Sequence, residues 1–316
     1  MRDRCDVNWI SDDSGADAVT GRVRWDPAHS IWNGGMLAAA FLFGPIFFTL
    51  PAFAMFLGLT GACILLGHSV GFHRLLIHRS FNTTPAMERI LVWCGTIAGM
   101  SGPLWIVRTH DLRDWAQRQE QCHPYLSHEK PMVLDAWWQL HCRLELDHPP
   151  QFDLSSIERS ALYRFFERYW MAQQLPLALV LFAMGGWPFV VWGICARIAV
   201  TVHGHWYVGY LAHNRGPQSF LVKEAGVQAH DVPWAALPTM GEAWHNNHHA
   251  FPSSAKIGLH KGQSDWGYAF IQTLHKAGLA WDICLPADLP RRKQDLVPLA
   301  NADNPSLRLH RPEKPL

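Results

Sequence analysis

Hydrophobic residues in this chain come in long unbroken stretches separated by polar ones, not in the short alternations of a soluble domain. Between Asp26 and Arg74 there is no Asp, Glu, Lys or Arg, and residues 34–67 read GGMLAAAFLFGPIFFTLPAFAMFLGLTGACILLG. One membrane-spanning helix needs about 20 apolar residues, so this stretch predicts two, at about 31–50 and 52–71, hinged near Pro51. A second charge-free stretch lies between Arg168 and Arg197 and resumes beyond Arg197 as far as Arg215. GGWP at 185–188 interrupts it, because glycine and proline punctuate helices. The pattern predicts a second hairpin with spans at about 171–185 and 188–212. A further apolar segment at about 87–107 contains Gly95, Gly99, Gly102 and Pro103 and reads as a helix lying in the membrane interface. Two buried helices of a soluble protein are the alternative, but the charge-free runs are longer than such a core needs.

The polar remainder divides the chain into a cytosolic arm (1–30), a single membrane domain (31–290) and a Pro- and charge-rich tail (291–316). The segment DLSSIERSALYRFFERYW (153–170) reads as an amphipathic helix capped by Asp153 or Ser155 and leading into the third span. The turns at Pro51 and GGWP carry no Lys or Arg, whereas Arg2, Arg4, Arg22 and Arg24 precede the first hairpin and Arg74, Arg79 and Arg89 follow it. Cytoplasmic loops hold the excess of Lys and Arg, so both termini and the long middle segment are expected in the cytoplasm. The first apolar run starts too late and is too long for a secretory signal peptide.

Composition sharpens this picture. Of 316 residues, 17% are charged, against about 25% in soluble domains. Hydrophobics make up 49%, yet the mean hydropathy is -0.04, so a polar half offsets an apolar one. The net charge of +1, from 27 basic and 26 acidic residues, excludes a basic nucleic-acid binder and a disordered acidic chain. Sixteen Trp suit a lipid–water boundary. The seven Cys, at 5, 63, 94, 122, 142, 195 and 284, are scattered without a CxxC pair and read as free thiols of a reducing compartment.

The 19 His are the most unusual feature. His73 and His78 lie in HRLLIHRSF, His110 in RTHDLRDW, and His245, His248 and His249 in HNNHHAFP, while His213 closes YVGYLAH. The last triplet has i, i+3, i+4 spacing and projects from one helical face. Each cluster sits at the end of a hydrophobic span or just after one. One zinc needs four ligands, and a facial-triad iron needs two His and a carboxylate. So many imidazoles exceed either need and suit a pair of first-row metals, including iron that must bind O2. His29, His141, His148, His230, His260, His275 and His310 stand apart and read as interface or capping residues.

These motifs resemble the membrane fatty acid desaturases, particularly the delta-9 acyl-CoA branch. HRLLIHRSF is similar to that branch's first histidine box, GEAWHNNHHAFP to its third, and WYVGYLAH to the element that supplies one further His. The resemblance spans about residues 35–285. It implies an all-α integral membrane protein with four transmembrane helices in two hairpins and a cytosolic helical cap holding a His-rich di-metal site. The implied ligands are His73, His78, His110, His213, His245, His248 and His249. The implied chemistry is O2-dependent removal of two hydrogens from an acyl chain at two iron ions, by an oxidoreductase of lipid metabolism in a bacterial inner membrane, its active site cytoplasmic. No Gly-rich dinucleotide fingerprint is present, so electrons are expected from an external ferredoxin- or cytochrome-type donor with its reductase. The acyl chain could arrive on CoA, on a carrier protein or within a phospholipid.

Departures from the family pattern matter as much. The second box, H-x-x-H-H, is here His110-Asp111-Leu112-Arg113-Asp114. Arg113 has no lone pair to offer a metal. Asp114 can ligate through its carboxylate and lies one turn from His110, with Arg113 expected to bond either Asp114 or Glu242. Gly209 stands where the family has an Asn. His68, His203 and His205 are extra and are expected near the metals or along the substrate tunnel with Arg113, Gly209 and Glu242; His123 and His128 follow the altered box. Two other outcomes stay open: an acyl-chain hydroxylase or epoxidase of the same fold, and a metal-poor, non-catalytic lipid-binding relative.

Overall fold

The computed structural model describes Cys5, residues 8–289 and residues 294–299. Helix α1, Pro27–Phe43, starts where the Asp26 carboxylate accepts the His29 amide proton. Helix α2, Leu50–Ile77, starts where the Thr49 hydroxyl accepts that of Ala52. The break between them therefore falls at residues 44–49. Pro51, expected as the hinge, sits in the first turn of α2, where its missing N–H goes unneeded. From Cys63 to Ile77 α2 continues as a wider π-helix, and this section carries His68 and His73.

The expected interfacial segment is two helices, α3 (Pro85–Ile97) and α4 (Pro103–Gln117), parted at Gly99, whose φ is +86°. At 13 residues, α3 is too short to span a bilayer. It lies tightly against α2: a Cβ on Gly71 would stand 2.3 Å from the Leu91 carbonyl oxygen. Helix α5 is Met132–His141 and α6 is Ala161–Arg168. The continuous amphipathic helix expected over 153–170 is instead a short turn, Ser155–Glu158, followed by α6, because Ser160 caps a new start by accepting the Tyr163 amide. Helix α7, Gln174–Asn214, is broken at Gly185 and Gly186, as GGWP predicts, and Leu181 packs against Gly193 across the break. Helices α8 (His245–Ala250) and α9 (Trp266–Lys276) follow.

Among the described residues two helices, α2 and α7, are long and apolar enough to cross a membrane, and only 28% and 22% of their apolar windows are covered by the protein itself. Leu50, Leu179 and Met184 stand outward and exposed, as a lipid-facing surface requires.

Strands are few. Among the described residues they form four two-stranded pairs and no closed sheet. Ile10–Asp12 pairs with Gln151–Phe152, and Gly21–Trp25 with Cys142–Leu146, so the described part of the N-terminal arm is pinned to the middle segment and not loose. Phe220–Val222 pairs with Leu296–Pro298, which orders part of the expected tail; residues 1–4, 6–7, 290–293 and 300–316 lie outside the described residues. Cys5 and Cys284, read as thiols from the sequence, form a disulfide. They lie 279 residues apart, a spacing that carries no local signal.

The core next to the histidines joins Phe72, Leu76 and Ile77 of α2 to Val92 of α3 and to Ile106 and Val107 of α4, closed by Tyr163 and Phe166. This packing fixes the ends of α2 and α4 relative to each other.

Candidate metal centre

His73 leaves the π-helical end of α2, and His78 follows immediately beyond it, its amide donating to the His73 carbonyl at 3.1 Å. His110 projects from the middle of α4. The two asparagines of HNNHH hold α8 in place so that its histidines can face inward. The Asn246 amide donates to Asp231 Oδ1 (2.9 Å), and its side chain bonds the Ser219, Phe220 and Ala229 backbone. Asn247 Nδ2 donates to the Ile257 carbonyl (3.0 Å) and Gln263 Oε1 (2.8 Å). Burial pushes the Asp231 carboxyl up to about 7, against the bonds it accepts.

The histidines gather in two groups. His73, His78, His110 and His248 form the first, and His213, His245 and His249 the second; in each, one ligand atom per residue lies within 4.8 Å of all the others. Ring centroids in the first group are as close as 4.5 Å for His73–His248 and 4.9 Å for His78–His110. In the second, His245 Nε2 is 3.1 Å from His249 Nε2 and 3.4 Å from His213 Nε2. The single face expected of the α8 triplet thus serves two sites. His245 and His249, one turn apart, share the second group, and His248 is turned by one position toward the first.

Neighbouring groups set the orientation of these rings. Glu242 Oε2 lies 2.6 Å from His73 Nδ1, in ion-pair range but out of line for a hydrogen bond. Glu242 Oε1 accepts from Ser69 Oγ (2.5 Å) and lies 3.3 Å from Arg74 Nη2, which also bonds Asp265 Oδ1 at 2.9 Å. His213 Nδ1 donates to the Gly209 carbonyl (2.8 Å). Burial holds His245, His248 and His249 well below the ordinary imidazole range, so they are neutral lone-pair donors with no proton to displace.

In the altered second box, Arg113 is engaged outside the two histidine groups. Arg113 donates to His128 Nε2 (2.8 Å) and Gln139 Oε1 (2.6 Å), in place of the expected bond to Asp114 or Glu242. His128 in turn bonds Asp135 Oδ2 (3.0 Å) and stacks on His213 at 5.0 Å, so both its nitrogens are committed. Asp114 Oδ2 is 3.6 Å from His110 Nδ1.

Beside both groups lies a cavity of about 380 Å³, walled by Ile64, Met100, Val200, Tyr207 and Val208 among others. His68, His205, Gly209, Glu242, Arg113 and Asp114 all border it. His203 does not: two positions from His205, it points to another face of α7 and bonds the Ala199 carbonyl (2.8 Å). Three supporting residues were missed in the sequence, Asp231, Asn246 and Gln117. Only Gln117 had a signal, its position seven residues after His110 on one helical face.

The donor chemistry fits bound metal. Three Nε2 atoms converge in the second group, and His248 Nδ1 is buried with no hydrogen-bond partner, an arrangement that costs free energy unless a cation draws the lone pairs together.

No family model matches the chain. It is 34% identical over 260 residues to an sn-1 stearoyl-lipid 9-desaturase of Synechocystis, covering 80% of this chain and 78% of the relative. It is 35% identical over 257 residues to the same-named protein of Anabaena variabilis, covering 79% and 90%. An acyl-CoA 5-desaturase of Anemone leveillei is 30% identical over 273 residues, covering 85% and 82%. With its histidine groups beside the long apolar helices and this similarity along most of its length, the chain belongs to the fatty acid desaturase family.

Proposed function

We propose that this protein introduces a double bond into a fatty acyl chain at a di-iron centre held by His73, His78, His110 and His248 on one side and His213, His245 and His249 on the other. The observation that carries this reading is the pair of histidine groups bordering one mainly apolar cavity between α2 and α7. Iron bound there would supply the O2-dependent oxidation of an unactivated C–H bond. The balance takes two electrons from the acyl chain and two from an external donor, reducing O2 to two waters.

The protein's own part is to hold and shape. Glu242 sets a carboxylate against His73, the Gly209 carbonyl keeps His213 in one tautomer, and Gly204 and Gly209 leave room for the chain, since a Cβ on either would meet nothing within 4 Å. Val200 and Tyr207 on the cavity wall are 51% and 36% exposed on an apolar helix whose one charged side chain, Arg197, is fully buried, which favours an acyl chain that enters from the bilayer, as the substrates named for the lipid desaturases would. The reading includes a single membrane domain over 31–290 with four spans, both termini and the metal centre on the cytoplasmic side of a bacterial inner membrane. The break at Gly185–Gly186 and the uncovered faces of α2 and α7 support it.

The test is lipid profiling by mass spectrometry with and without expression of the chain. Acyl products lacking two hydrogens are expected. Products that gain one oxygen would make the protein a hydroxylase or epoxidase, and an unchanged profile with iron-free protein would make it a lipid-binding relative.

A further inference from the structure

We propose that Gln117 supplies an oxygen donor to the second metal position, beside His213, His245 and His249, in place of a histidine that the altered second box lacks. This rests on the di-iron reading above.

Gln117 ends α4 and is 1% exposed. Its Nε2 donates to the Leu126 carbonyl at 2.7 Å, which fixes the amide orientation and leaves Oε1 as a pure acceptor. Oε1 lies 3.2 Å from His213 Nε2. On the other side of that ring, Nδ1 faces the Gly209 carbonyl oxygen at 2.8 Å, and a carbonyl can only accept. A neutral imidazole has one proton, and the shorter, intrahelical contact holds it on Nδ1. His213 Nε2 is then a lone pair facing the lone pairs of Gln117 Oε1, with His245 Nε2 at 3.4 Å. Acceptors this close with no hydrogen between them repel, and a cation among them turns the repulsion into ligation.

The alternative is an imidazolium at His213 that donates to both oxygens. It would put a second buried positive charge beside the Arg113–His128 pair, whose His128 ring stacks on His213. Iron(II) takes an oxygen donor beside imidazoles in the two-His, one-carboxylate facial triad, and the Gln117 amide oxygen offers lone pairs in the same way, without the charge. Asp114 is one turn earlier on α4, and its Oδ2 faces His110 of the first group. Gln117 is thus the α4 side chain that reaches the second.

The experiment uses the full chain purified in detergent, with iron content measured by mass spectrometry and cobalt(II) titration followed by its ligand-field absorption. Wild type is expected to hold two metals. Gln117→Met, of similar volume and without the oxygen, should keep one and bind the second about tenfold more weakly or worse. Gln117→Glu should keep two with an altered cobalt spectrum. Both variants lose the bond to the Leu126 carbonyl, so a purely structural role would cost both of them the second metal and overturn the proposal. Unchanged binding of two metals by Gln117→Met would also overturn it, while leaving the di-iron reading intact. A wild type that holds one metal, unaffected by Gln117→Met, would identify the imidazolium. A wild type that holds none would remove the di-iron reading itself.

Discussion

The Glu242 carboxylate meets Nδ1 of His73 at 2.6 Å, joining the loop before the third histidine motif to the end of the second apolar helix. The same carboxylate takes the Ser69 hydroxyl and lies beside the fully buried Arg74, so one anion stands against both an imidazole and a cation. Glu242→Gln keeps the shape and removes the charge. Partners of metal-bound imidazoles typically contribute about 10–100-fold to affinity or activity. Weakening of one of two irons by that factor is expected in a titration of the variant, with the other iron retained. Equal binding of both irons would mean that His73 is oriented by other contacts.

Cavity shape offers an independent prediction. Gly204 borders the cavity, and a Cβ there meets nothing within 4 Å, so Gly204→Leu should fold and reach the membrane normally. Its side chain would occupy space meant for the acyl chain. Lipid profiles of the variant should shift to shorter products or lose product, at unchanged iron content. An unchanged chain-length distribution would mean that the acyl chain runs along another wall.

The four-span arrangement predicts a labelling pattern. Trp187, beside the break in α7 and 58% exposed, should accept a cysteine that is reachable by a membrane-impermeant reagent from outside intact cells. Native Cys122, after α4, should be labelled only after the cells are opened. Labelling of Cys122 in intact cells would reverse the orientation.

The clustering of the histidines was legible because side chains at i, i+3 and i+4 share a helical region and because so many imidazoles lie next to apolar runs in the sequence. The partition of His248 from His245 and His249 was not, since it depends on the angle at which α8 meets α2 and α4. The same holds for Arg113: its i+1 neighbour Asp114 and the carboxylate of Glu242 were reasonable partners on charge alone, but the fold brings His128 and Gln139 within reach first. The strands that pin residues 10–25, and the pairing of Cys5 with Cys284, join segments more than a hundred residues apart. Local patterns carry no trace of such contacts.

Asp231 gives a pH-dependent prediction. Its carboxyl is raised to about 7 in the fold, chiefly by burial, against about 3.9 in an unfolded chain. Between those values the folded state holds a proton that the unfolded state has released, so this group makes stability fall as pH rises from about 4 to about 7. Asp231→Asn can still accept the Asn246 amide but has no proton to lose. The melting temperature of the variant, relative to wild type, should therefore increase across that window and level off above it. A difference that does not change with pH would mean that Asp231 is ionised in the fold.

Arg113 is expected to support the site without ligating metal. Its two amino groups go to His128 Nε2 and Gln139 Oε1, and His128 passes the connection to Asp135, which also accepts the Trp206 indole N–H at 2.8 Å. This chain ties α4, α5 and α7 together behind His213. Arg113→Met would leave the buried His128 Nε2 without its donor, at a cost of about 1–3 kcal/mol, which should lower the melting temperature by several degrees. Arg113→Lys should recover part of the loss, because an ammonium can serve one acceptor but lacks the planar fork that reaches two. Iron stoichiometry is expected to remain at two in both variants, since guanidinium has no lone pair to give. The decisive outcome is the combination: a variant that melts as wild type does yet loses iron would place Arg113 in the metal site, through its charge, and not in the scaffold behind it.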